Sequence, residues 1–115
     1  MKIAIATDDK INISNHFGRA KGFVIFEINT NKIVNESYKE NLGKSNGNCG
    51  SCNHQIMIKN IKDCDYVISY GMGQKIYDDL TANNIIAIIT EEKTIKNALN
   101  KFLNKDLKNR LDKLH

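Results

Sequence analysis

Two cysteines and a histidine fall within six residues, Cys49-Gly50-Ser51-Cys52-Asn53-His54, and form the sharpest chemical signal in the chain. A C-x-x-C turn brings two sulfurs onto one metal or into one disulfide, and an imidazole two residues on can join them. Cys52 falls where a helix is expected to begin, and there exposed backbone N–H groups and the positive end of the helix dipole favour the thiolate. Neither a second C-x-x-C nor an H-x-x-x-H pattern occurs, so the site is open or is completed from elsewhere in the chain. His16 is the other candidate imidazole. Thiolates with imidazole suit zinc, copper or an iron–sulfur species, and residue types alone do not choose among them. Cys64 has no Cys or His at ligand spacing and reads as a core thiol.

Weaker signals lie elsewhere. Gly71-Met72-Gly73, placed between a strand and a helix, could cradle an anion on helix N-terminal N–H groups, but close packing explains both glycines equally well. Asp8 and Asp9 could bind a hard cation, yet a two-metal nuclease needs more carboxylates gathered at the sheet than this chain offers there. No G-x-S-x-G elbow is present, and with no proline at all the chain lacks the cis-proline of a thioredoxin-type dithiol site. A helix-start C-x-x-C remains chemically competent for redox work in another scaffold.

These residues need elements to hold them. Residues 2 to 7 are a continuous apolar run, as expected for a strand covered on both faces. Gly22 to Ile28 and Ile33 to Tyr38 are β-rich segments joined by Asn29-Thr30-Asn31-Lys32, which reads as a hairpin turn. From Glu40 to Ser51 the chain has three glycines and almost nothing apolar, the longest irregular stretch, after which a helix is expected over about 53 to 62. Asp65 to Ser69 predicts a buried strand, the spacing of Ile76, Tyr77 and Leu80 predicts a helix, and Ile85 to Ile89 predicts a fifth strand. Asn83-Asn84 is a candidate C-terminal cap, and Thr90 to Thr94 holds cap candidates for a last helix built on Ile95, Leu99, Phe102 and Leu103. Leu107, Leu111 and Leu114 either continue that helix or form a separate turn.

The order β-β-β-α-β-α-β-α predicts an α/β domain with a mixed five-stranded sheet: a three-strand antiparallel meander that feeds right-handed parallel crossovers, with three helices. If the first strand points up, the second runs down and the other three run up. The loops after strands one and three and the Gly71-Met72-Gly73 turn then share one edge, the usual ligand-binding edge of an α/β sheet.

A chain of 115 residues that is 41% apolar is read as one domain over 1–115. Its apolar runs are too short for a membrane span or a signal-peptide core, so the cytoplasm is expected, with reduced thiols. The net charge of +4 is concentrated after Lys93, which reads as a solvated lysine-rich helix face, with nucleic acid a less favoured partner. Sixteen asparagines among many Lys and Ile residues look like a coding bias and are given no individual weight.

The opening MKIAIATDD, the segment His16-Phe17-Gly18-Arg19-Ala20 followed by Phe23 to Glu27, and Gly71-Met72-Gly73 before a helix together resemble the dinitrogenase iron–molybdenum cofactor biosynthesis family. The match runs from Met1 to about Phe102. The resemblance implies a ribonuclease-H-like three-layer fold without nuclease activity, and non-enzymatic binding or delivery of an iron–sulfur or iron–molybdenum cluster or precursor, with a protein partner in transfer. It makes His16 a candidate cluster contact and Arg19 a partner for anionic groups. Cys49, Cys52 and His54 match a C-x-x-C variant found in part of the family. The expected site is therefore Cys49, Cys52, His16 and His54 as ligands, with Arg19, Gly71 and Gly73 beside them, and zinc is a further candidate guest. Gln74, Ile76 and Tyr77 are bulkier than the family often shows, which predicts a narrower pocket. Two other readings compete: a metal-free dithiol redox protein, and an interaction module that uses its basic C-terminal helix.

Overall fold

The computed structural model describes residues 1–15, 17–41 and 58–110. Five strands, β1 (Lys2–Thr7), β2 (Gly22–Asn29), β3 (Lys32–Glu40), β4 (Tyr66–Ser69) and β5 (Ile86–Ile89), form one sheet in the order β3-β2-β1-β4-β5. β2 is antiparallel to both β1 and β3, whereas β4 pairs parallel with β1 and with β5. The direction count made from the sequence is therefore the observed one. Two helices, α1 (Gln74–Ala82) and α2 (Ile95–Leu103), follow β4 and β5. Of the helix expected over 53–62, residues 58–60 are helical and residues 53–57 lie outside the described residues.

Alternation along each strand divides the interior into two layers. Ala4, Ala6, Phe23, Ile25, Val67, Ala87 and Ile89 face one way, toward Ile58, Ile61, Ile76 and Leu80. Ile3, Ile5, Val24, Phe26, Ile28 and Ile68 face the other, toward Ile95, Ala98 and Leu99 of α2. The α1 side carries three alanines on its sheet surface, and such small side chains let helix backbones approach the sheet closely. This arrangement is a mixed α/β fold with helices on both faces of the sheet. Cys64 is buried as expected, and burial pushes its thiol up to about 11, which keeps it protonated and inert at neutral pH.

Turn chemistry sets the ends of these elements. Thr30 and Asn31 both have positive φ, 54° and 62°, as a two-residue hairpin loop requires. α1 ends at Asn83 with Asn84 left-handed at φ 62°, the Ile85 N–H bonded to Leu80 O and the Asn84 N–H to Thr81 O. Both bonds are those of a Schellman ending, with asparagine where glycine is usual. α2 starts under a Thr94 cap whose hydroxyl accepts the Asn97 N–H at 3.2 Å. It does not continue through Leu107. Lys105 turns left-handed at φ 59°, its N–H bonds Phe102 O and that of Asp106 bonds Lys101 O, so the helix stops at Leu103. Leu111 and Leu114 lie outside the described residues. Among the described residues no helix is long and apolar enough to cross a membrane.

Candidate functional site

The carboxyl ends of β1, β3 and β4 meet at one edge of the sheet. Beyond β1 the chain folds into a stitched hairpin. The Thr7 hydroxyl donates to Asn12 O at 2.6 Å and accepts the Lys10 N–H at 2.9 Å. The Asp9 carboxylate accepts the backbone N–H groups of Asn12 and Ile11 and the Asn12 side-chain amide, at 2.7, 2.9 and 2.8 Å. These N–H donors, the Asn12 backbone first, hold the Asp9 carboxyl down to about 2. Asp9 is thus a turn organiser rather than the hard-cation ligand that its type also allowed. Ile13 N–H to Lys93 O and Ile95 N–H to Ile11 O then tie this hairpin to the start of α2.

The segment after the hairpin is anchored to the glycine turn. The Phe17 N–H donates to Gly71 O at 3.1 Å, and the same carbonyl accepts the Ser69 hydroxyl at 2.8 Å. Phe17 is fully buried, with its ring 5.2 Å from that of Phe23. Gly18 approaches α1 so closely that an added Cβ would stand 3.1 Å from Ile76 Cδ1, which gives the glycine a packing role. Arg19 ends the short 3-10 turn Phe17–Arg19 and is exposed. Gly73 is the N-cap of α1, with no side-chain cap bond.

Asn41, the last described residue before 42–57, is buried at 6% exposure. Its side-chain amide donates to Ala20 O at 2.9 Å and Gly18 O at 3.4 Å, and its backbone N–H to Lys21 O at 3.0 Å. On the other side of that segment, Asn60 donates to Glu40 O at 2.9 Å and Lys39 Nζ donates to Asn60 O at 3.0 Å. The chain therefore leaves and re-enters the described structure beside the end of β3, and its point of departure is bonded to the 17–20 turn. Sequence reasoning missed Asn41, Asn60 and this clamp. The signal available was that Asn41 directly follows a β-rich segment and opens the glycine-bearing stretch.

Against the same edge lies a cleft of about 580 Å³, lined by Asp8, Asp9, Asn12, Ile13, Ser14, Asn15, Tyr70 and Lys93. Its volume is within the range of roughly 300–1,000 Å³ common for small-molecule sites. Tyr70 follows β4 and Lys93 follows β5, so the cleft spans the ends of three strands. Tyr70 was not read from the sequence as a site residue, and Lys93 was read only as the start of the basic part of the chain.

The structure brings together the residues flanking His16, Gly71 and the departure point of the Cys-bearing segment. His16, Cys49, Cys52 and His54 themselves lie outside the described residues, and Arg19, Gly71 and Gly73 are at or beside the edge. Among the described residues no group of three or more His, Cys, Asp and Glu side chains is placed to hold a metal ion.

Comparison with solved structures supports the fold. The chain is 24% identical to the protein PH0822, with a TM-score of 0.78 and coverage of 97% of this chain and 96% of that one. It is 22% identical to the apo form of the orange protein from Desulfovibrio gigas, with a TM-score of 0.77 and coverage of 96% and 92%. No curated protein matches the chain. Residues 1–105 match the family described as dinitrogenase iron–molybdenum cofactor, which covers every element described above. On that match, with a sheet topology shared by these solved structures, the chain belongs to the dinitrogenase iron–molybdenum cofactor family.

Proposed function

We propose that the chain binds an iron–sulfur or iron–molybdenum cluster, or a precursor of one, as cargo and hands it to a protein partner without catalysing a reaction. Membership of the family supports the cargo class. The single observation that supports the location is the bonding of Asn41 to Ala20 and Gly18 and of Phe17 to Gly71, which joins at one edge the residue that follows His16 and the residue that precedes 42–57.

In this reading Cys49 and Cys52 are thiolate ligands, with His16 and His54 completing the shell. Soft thiolates favour iron–sulfur species over hard cations, and imidazole is a compatible fourth donor. The sequence around these cysteines carries Gly43, Gly47 and Gly50, a residue type with few steric limits on its backbone, which is compatible with donors that must accept and release a guest. Ligand exchange with a partner's thiolates then moves the cargo on with no net chemistry on it. Arg19, exposed beside the edge, offers a positive charge to an anionic cluster or to an acidic partner. The cytoplasm, where thiols stay reduced, suits such a donor set.

Anaerobic reconstitution of the full chain with iron and sulfide tests this reading. Visible charge-transfer absorbance is expected, and Cys49→Ser with Cys52→Ser should abolish it. Absorbance that survives in that double variant would defeat the assignment. A fast dithiol–disulfide exchange with glutathione in the absence of any bound iron would point to metal-free redox work instead.

A further inference from the structure

The two edges of the sheet are protected in different ways. β3 protects itself: it carries Lys32, Glu36, Lys39 and Glu40, and the register with β2 shifts at a bulge beside Glu27 and Ile28. Charges and bulges are the usual devices that stop an edge from pairing with another chain. β5, at the opposite edge, has neither. Its sequence Ile86-Ala87-Ile88-Ile89 is uncharged and rich in β-branched residues, and Ile86 is 53% exposed. Such a strand is an open template for pairing.

The chain beyond α2 covers that template. Ile86 and Thr90 direct their N–H groups to β4 and its flank, at Asp65 O and Ser69 O, so the outward groups of β5 belong to Ala87 and Ile89. Ala87 O accepts the Asn109 side-chain amide at 3.2 Å, the Ile89 N–H donates to Asn109 Oδ1 at 3.0 Å, and Ile89 O accepts the Arg110 N–H at 2.7 Å. One side-chain amide thus bonds the strand as a neighbouring backbone would. The Arg110 guanidinium pairs with Glu91, just beyond β5, and Leu107 packs against the α2-side core.

We propose that residues 105–110 are a strand guard, a substitute for a sixth strand whose removal turns β5 into a pairing edge for a second copy of this chain. A second copy is the occupant because antiparallel pairing of two β5 strands opposes isoleucines and alanine with no like charges in register. Among the described residues the guard is not strand itself: it meets β5 through the Asn109 side chain and the Arg110 N–H, beside the Arg110–Glu91 ion pair and the packing of Leu107. It thus occupies the edge without the repeating backbone ladder of a sixth strand.

Sedimentation of the full chain over a range of concentrations tests this. Asn109→Ala with Arg110→Pro removes all three hydrogen bonds and, by deleting the guanidinium, the ion pair. Relative to the parent chain, the variant is expected to self-associate with concentration, its weight-average mass approaching twice the parent value, while keeping the parent's circular dichroism. Adding Ile86→Lys, which places a charge on the bare edge, should return the parent mass. A folded variant that sediments as the parent does would overturn the proposal, and so would association that Ile86→Lys leaves intact. An unfolded variant would equally overturn it, by showing that the tail holds the fold rather than guarding its edge. The milder Asn109→Asp, which keeps the acceptor for the Ile89 N–H but sets a carboxylate oxygen in place of the donor to Ala87 O, is expected to associate to a smaller extent.

Discussion

At the scale of single residues, the edge is organised by polar side chains that bond backbone rather than by its charged groups acting on a ligand. Asp9 shows this best. Its folded carboxyl titrates near 2 because the Asn12 and Ile11 backbone N–H groups and the Asn12 side-chain amide favour the ionised form. A depressed carboxyl contributes stability that is fully present above its unfolded value of about 3.9 and is lost as pH falls through its folded value. Acid should therefore loosen the 8–15 hairpin between about pH 4 and 2, and Asp9→Asn should remove that part of the acid response. Chemical shifts of the Ile11 and Asn12 amides followed from pH 6 to pH 2 check it. Asn41 and Asn109 act in the same way, each spending an amide on backbone of a distant segment. None of this was legible beforehand. With sixteen asparagines in the chain, only the fold reveals which ones are buried or bonded.

At the scale of elements, legibility followed burial. The β1 and β2 boundaries are marked by apolar runs because both of their faces are covered, and the structure reproduces them within a residue. β3 extends to Lys32 and Glu40, beyond the expected Ile33 to Tyr38, because an edge strand exposed along nearly its whole length has no apolar pattern to mark its ends. The last helix was open to extension through Leu107 because leucine spacing favours it. Backbone hydrogen bonding ends it instead, at a left-handed Lys105 that no residue preference announces. A left-handed non-glycine residue costs roughly 1–2 kcal/mol. Lys105→Gly should thus raise unfolding free energy by about 1 kcal/mol in a urea titration, with the sheet unchanged. No gain would mean that the Lys105 side chain offsets the backbone cost.

For the whole molecule, the step from sequence to site was topological. Strand directions could be counted from chain order, because antiparallel hairpins reverse direction and helical crossovers preserve it. That count put three loops on one edge, and the Phe17–Gly71 and Asn41–Ala20 hydrogen bonds join the frames of all three. The cleft bounded by Tyr70 and Lys93 was not foreseeable, since its lining comes from three separate segments with no shared motif. The central claim is that the histidine after Asn15 and the cysteines after Asn41 serve one guest. Iron-edge X-ray absorption of the anaerobically reconstituted full chain, compared with its His16→Ala variant, tests it most directly. The account predicts a nitrogen scatterer beside the sulfurs in the parent and its loss in the variant. An all-sulfur shell, identical in both, would contradict it.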